Sequence, residues 1–160
     1  MSDYSKKLMT KAINDMDAFL SDLGLARKAV TKDETCLFRA VSEKLFFTQC
    51  HHNKVKDACL NYLLRHEDEY QPFVAEAIDE RVNRVKEGKT RAGHLEMIVM
   101  SRMYRLDFVL FHTPSLNHYS LTDNFYNQVF LCYVNDNHYD LVYSKTFLQT
   151  AAICQGRPID

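Results

Sequence analysis

Met9, Ile13, Met16, Phe19 and Leu20 recur at steps of three and four residues, an apolar stripe that predicts an amphipathic helix over about 3–23 closed by Gly24. The next segment, Thr31 to Thr35, is polar and offers Asp33 and Thr35 as helix caps. Leu37, Val41 and Leu45, flanked by Phe38 and Phe46, then resume helical spacing, so a second helix begins at or just before Cys36. Val55, Cys59, Tyr62 and Leu63 mark a third helix. Phe73, Ala77, Ile78, Val82 and Val85 mark a fourth, interrupted near Glu87-Gly88, and Gly93 opens another through Leu95, Ile98, Val99 and Tyr104. Beyond this point the period changes. Asp107-Phe108-Val109-Leu110-Phe111 reads as a buried strand and Thr113 to Asn127 as a loop. Gln128 to Val134, the turn residues Asn135-Asp136-Asn137 and His138 to Tyr143 together read as a β-hairpin. Helices first and strands later predict an α+β fold with a small sheet near 107–112, 128–134 and 138–143. Thr146 to Asp160 lacks periodicity and reads as a flexible end, or as a cut inside a longer protein.

With 160 residues, 46% of them hydrophobic, the chain suits one compact domain. A formal net charge of −1 gives no electrostatic reason to expect nucleic acid as a partner. The five cysteines, Cys36, Cys50, Cys59, Cys132 and Cys154, are odd in number and form no CxxC pair, which predicts reduced thiols in a cytoplasmic or nuclear protein. No apolar run approaches the ~20 residues that span a bilayer, so a soluble protein without membrane contact is expected. Cys50-His51-His52 with Cys59 lacks the paired spacing of a zinc site, and no metal or cofactor is expected. His94, His112 and His118 have no paired acid. Arg81, Arg84, Arg102 and Arg105 read as solvated helix surface rather than a basic binding face.

The chemistry concentrates in two places. Cys36 stands at a predicted helix start, where unpaired N–H groups and the positive end of the helix dipole favour a thiolate and face an oxyanion during acyl transfer. About a hundred residues later, His138 and Asp140 alternate onto the same face of a predicted strand, so that the carboxylate can reach the imidazole and fix its tautomer, while Tyr139 and Leu141 face the other side. A thiol, a base and an orienting acid are the parts of a cysteine nucleophile. The competing interpretation is that Cys36 is one more buried, inert cysteine.

The Asp-x-x-Cys-Leu-Phe-Arg-Ala block at Asp33 to Ala40 is followed by Gly93-x-x-Glu96. Ser101-x-x-Tyr104-Arg105-x-Asp107-Phe108 and Asn137-His138-Tyr139-Asp140 complete the order. With these blocks the chain resembles the ovarian tumour (OTU) domain cysteine proteases over about Leu23 to Phe147. Leu23-Gly24-Leu25-Ala26-Arg27-Lys28 places it nearest the branch of the animal ovarian tumour protein and of the OTU domain attached to a glycosyltransferase-like protein. The resemblance implies a papain-like OTU fold, a helical half packed on a small, mainly antiparallel sheet. It implies an N-terminal helix over 1–24, a catalytic domain over 25–147 and a tail over 148–160 cut from a longer protein.

It also implies a deubiquitinase that hydrolyses isopeptide bonds to lysine through a thioester. Cys36 would be the nucleophile, His138 the general base and acid, Asp33 part of the oxyanion-hole loop and Asp140 the residue orienting His138. Glu34, Thr35, Tyr119, Asn137 and Tyr139 are candidate contacts to ubiquitin or polyubiquitin, and a monomer is expected. Two departures stand out: Glu34 replaces a glycine common in the family, and a Trp often found near Arg91 is absent. A catalytically weak or inactive OTU module that binds ubiquitin is therefore an alternative, and a papain-like hydrolase of small amides is a third.

Overall fold

The computed structural model describes residues 2–113, 115–135 and 138–154. Helix α1 (Asp3–Asp22) leads into the short strand β1 (Leu25–Lys28), and α2 (Cys36–Phe46) follows. A helical half continues with α3 (His52–Arg65), α4 (Glu67–Tyr70), α5 (Ile78–Lys86) and α6 (His94–Tyr104). The chain then runs through β2 (Leu106–His112), β3 (Asn117–Ser120), β4 (Asn127–Val134) and β5 (His138–Ser144), and ends in α7 (Lys145–Cys154). The strands form one sheet in the order β1-β5-β4-β2-β3, parallel between β2 and β4 and antiparallel elsewhere.

Both faces of the sheet are covered. Phe108, Leu110, Leu131, Tyr139 and Leu141 pack against α2 to α6, whereas Val109, Phe111, Cys132, Val134 and Val142 meet Met16 and Leu20 of α1. This explains why Phe108 to Phe111 of β2 are apolar without alternation. The C-terminal part of the N-terminal stripe is thus core, with Met16 and Leu20 fully buried and Ile13 and Phe19 packed against them. Gly24, at φ +74°, makes the left-handed turn that ends α1 and sends the chain into β1.

Three expectations need correction. Phe73 does not belong to the helix of Ile78, Val82 and Val85: it ends a short 3-10 turn and is 76% exposed. Pro72 and Gln71 are the reason, because the Gln71 side chain donates to the Glu76 carbonyl and accepts from the Ile78 N–H, so that a separate helix starts at Ile78. The stretch read as a loop contains β3, a polar edge strand paired with β2, and β1 pairs with β5 at the opposite edge. Both are four-residue strands whose pairing partners lie far away in sequence or whose side chains are exposed, so neither carries a two-residue hydrophobic period. The segment read as flexible is helical through Cys154: Ser144 Oγ accepts from the Phe147 N–H, and Phe147 stacks on Tyr143 with ring centres 4.8 Å apart.

Each of the four arginines has a partner within the chain. Arg81 pairs with Glu96 and Glu76, Arg84 with Glu76, Arg102 with Glu69, and Arg105 lies over the Phe125 ring.

Candidate active site

The α2 helix starts at Cys36, with Thr35 at its N-cap. The turn before it is held by one carboxylate. Asp33 Oδ1 accepts from the Thr35 N–H (2.9 Å) and hydroxyl (2.6 Å), and its Oδ2 accepts from Arg39 Nη2 (2.8 Å). Burial raises the Asp33 carboxyl, but Arg39 and Thr35 outweigh it and hold it down at about 2, so it is charged throughout the working range. Thr35 is itself buried, its hydroxyl used inside this clamp. Glu34 is exposed and leans on Gly88, where an added Cβ would lie 3.2 Å from Glu34 Cγ. Its backbone is not among the positive-φ positions, so the turn forms without needing a glycine there.

Across the site, His138 opens β5 and Asp140 follows on the same face. His138 Nε2 lies 2.8 Å from Asp140 Oδ1. Asp140 is buried and further fixed by the Val30 N–H on Oδ1 (2.8 Å) and Arg27 Nη1 on Oδ2 (2.8 Å). Burial raises its carboxyl, but His138, Val30 and Arg27 together bring it below the ordinary carboxylate value. The other ring nitrogen, His138 Nδ1, is buried and takes part in no hydrogen bond of good geometry. Cys36 is the neighbour on that side, its thiol and the imidazole shifting each other's titration. Burial raises the thiol and lowers the imidazole. Their mutual attraction, with the Tyr139 N–H on the sulfur and Asp140 on the ring, prevails: Cys36 is brought below the usual thiol value and His138 is raised to about 9. Both shifts favour a thiolate–imidazolium pair.

Helix periodicity and strand alternation bring Cys36, His138 and Asp140 together as the sequence predicts. Tyr139 points into the opposite layer and stacks on Tyr133, ring centres 4.6 Å apart. Tyr119 is on β3 rather than in a loop, its hydroxyl 3.4 Å from His94 Nε2. Asn137 lies outside the described residues. Two basic residues were not anticipated. Arg27 is the guanidinium on Asp140. Arg91 reaches the Asp33 carbonyl (2.7 Å) and lies 3.8 Å from Cys36 Sγ. A cleft of about 170 Å³ opens beside the pair, walled by Met9 and Ile13 of α1 with Arg27, Arg91, His138 and Asp140.

Arg91 favours the charged sulfur by proximity. Arg91→Ala is therefore expected to move the pH midpoint of Cys36 alkylation by iodoacetamide upward by about 0.5 unit, read on the Cys36 peptide by mass. An unchanged midpoint would leave Arg91 as a brace for the Asp33 carbonyl alone.

The chain is similar to known proteins in sequence and in fold. The chain is 41% identical over 156 residues to the mouse UDP-N-acetylglucosamine transferase subunit ALG13, covering 96% of the chain but 13% of that protein. It is 40% identical over 142 residues to mouse OTU domain-containing protein 4, covering 88% of the chain and 13% of that protein. The chain thus spans about an eighth of the length of these relatives. Among solved structures, the OTU domain of OTUD1 superposes with a TM-score of 0.76 at 21% identity, covering 87% of this chain and 99% of that one. An ovarian tumour domain in complex with ubiquitin superposes at 0.68 and 16% identity, covering 77% and 72%. The family model described as OTU-like cysteine protease matches residues 31–148, from the turn before Cys36 to the start of α7. A match that takes in the thiol, the histidine and four of the five strands means that this chain belongs to the OTU-like cysteine protease family.

Proposed function

We propose that this chain is a cysteine isopeptidase that hydrolyses the bond between the C-terminus of ubiquitin and a lysine side chain. The observation that carries the reading is the imidazole held by Asp140 at 2.8 Å and raised to about 9 beside a thiol brought below its ordinary value. In this reaction the Cys36 thiolate attacks the isopeptide carbonyl carbon, and the tetrahedral oxyanion faces the Asp33–Cys36 turn at the start of α2. As the carbon–nitrogen bond breaks, His138 gives its proton to the leaving lysine nitrogen, which leaves a thioester on Cys36. His138 then takes a proton from water, the hydroxide adds to the thioester, and Cys36 departs as thiolate. Family membership and the ubiquitin-bound neighbour support ubiquitin as the acyl group.

A second reading, a ubiquitin-binding module without turnover, is favoured by one detail. Cys36 is only 2% exposed, and its N–H donates to the Asp33 carbonyl at 3.3 Å instead of facing an open oxyanion site. Ubiquitin carrying a thiol-reactive group at its C-terminus separates the two. An adduct of one ubiquitin mass, located on the Cys36 peptide, supports the isopeptidase. Saturable ubiquitin binding without an adduct supports the module and overturns the isopeptidase.

A further inference from the structure

Asp140 has three partners, and one of them leads out of the site. Arg27 of β1 uses Nη1 for Asp140 Oδ2 (2.8 Å) and turns Nε (2.9 Å) and Nη2 (3.1 Å) onto the two oxygens of Asp17 in α1. The guanidinium is planar and permanently charged, so it holds both carboxylates in one fixed fork. Asp140 is 3% exposed at its side chain and Asp17 is 43% exposed, so the fork joins the buried acid to the surface of a helix that also walls the cleft through Met9 and Ile13.

We propose that Arg27 is a positioning residue for the Asp140–His138 pair, and that Asp17 of α1 sets how strongly its charge acts, which makes the N-terminal helix part of the catalytic unit. The inference rests on the Cys36–His138–Asp140 constellation acting as nucleophile, base and orienting acid. Arg27 opposes imidazolium formation through its positive charge and by sharing Asp140. Asp17 partly cancels that charge. Removing either therefore moves the His138 titration in opposite directions, which a purely structural brace does not do. The other groups around His138 are accounted for: Cys36 on α2 attracts its proton, while Arg91 before α6 and Lys32 in the loop before α2 oppose it. Cys132 on β4 is pushed up to about 12 by burial and stays neutral.

The test follows the His138 ring titration by NMR in the full chain labelled at histidine, the resonance being assigned by its loss in His138→Gln. Arg27→Gln is expected to raise the midpoint by about one pH unit, Asp17→Asn to lower it, and Arg27→Lys to stay near wild type. Unfolding temperatures identify any variant that has lost its fold. If Arg27→Gln has, Asp17→Asn decides alone. Shifts of one sign for both, or no shift in folded Asp17→Asn, overturn the proposal. The high-pH limb of turnover, read with a fluorogenic amide at the ubiquitin C-terminus, is expected to follow the midpoints. Shifted midpoints without turnover in the wild type or any variant would reject the isopeptidase reading while leaving the positioning of the Asp140–His138 pair by Arg27 and Asp17 standing.

Discussion

Cys36→Ala is expected to reduce ubiquitin-chain cleavage by at least about 10⁴-fold while the chain stays folded, and His138→Ala to reduce it comparably. The two act as one unit, since the thiol is a weak nucleophile without the imidazole and the imidazole has nothing to activate without the thiol. Cys36 is packed in the core at the helix start, but alanine keeps the helix and removes one sulfur atom, so the unfolding temperature serves as control. Asp140→Asn is expected to cost less, because His138 keeps its place at the start of β5 and a hydrogen-bond acceptor remains. The pH profile carries a second signature. Activity rises as Cys36 loses its proton, below the range of an ordinary thiol, and falls as His138 loses its own near pH 9, giving a plateau between. Quantitative gel cleavage of polyubiquitin across pH measures both. Cleavage by Cys36→Ala at the wild-type rate would eliminate the mechanism, and a profile centred on an ordinary thiol would eliminate the ion pair.

Arg81→Ala is expected to destabilise the fold by about 3–5 kcal/mol. Glu96 is 0% exposed, and its carboxylate accepts from Arg81 Nε (2.8 Å), Arg81 Nη2 (2.9 Å) and the Gly93 N–H (2.8 Å). Removing the guanidinium leaves a buried charge with only a backbone N–H, and that stranded charge costs far more than the pair contributed. For a chain of this size the loss corresponds to a fall of about 10 °C in unfolding temperature. The double replacement Arg81→Leu with Glu96→Leu is expected to cost less than Arg81→Ala alone, because no charge remains to be buried. Thermal unfolding of the three proteins decides it: a double variant as unstable as Arg81→Ala would mean that packing, not the stranded carboxylate, sets the cost. Glu96 also reaches back to the N-terminus of α6, two residues after Arg91, so this ion pair anchors the segment that touches Asp33 and Cys36.

What could be read before any fold was known was whatever depends on local period. The α2 start at Cys36 follows from a polar stretch giving way to helical spacing. His138 and Asp140 share a face because side chains alternate along a strand, and the stripe of α1 is buried because apolar faces seek cover. Element ends were less legible where they break the usual residue preferences. Phe47 (φ 60°) and Arg105 (φ 55°) occupy the left-handed positions that close α2 and α6, where glycine is the ordinary signal.

The α+β order and the facing of His138 and Asp140 along one strand were legible in the sequence, because the backbone's two periods act within a few residues of each other and write themselves into spacing. Tertiary structure alone decided what surrounds them. Arg27 meets Asp140 across 113 positions and Arg91 meets Asp33 across 58, and β1 pairs with β5 from the far end of the chain. An ion pair needs only two opposite charges brought within reach, and no spacing rule records which of the chain's 20 lysines and arginines will be the ones to arrive.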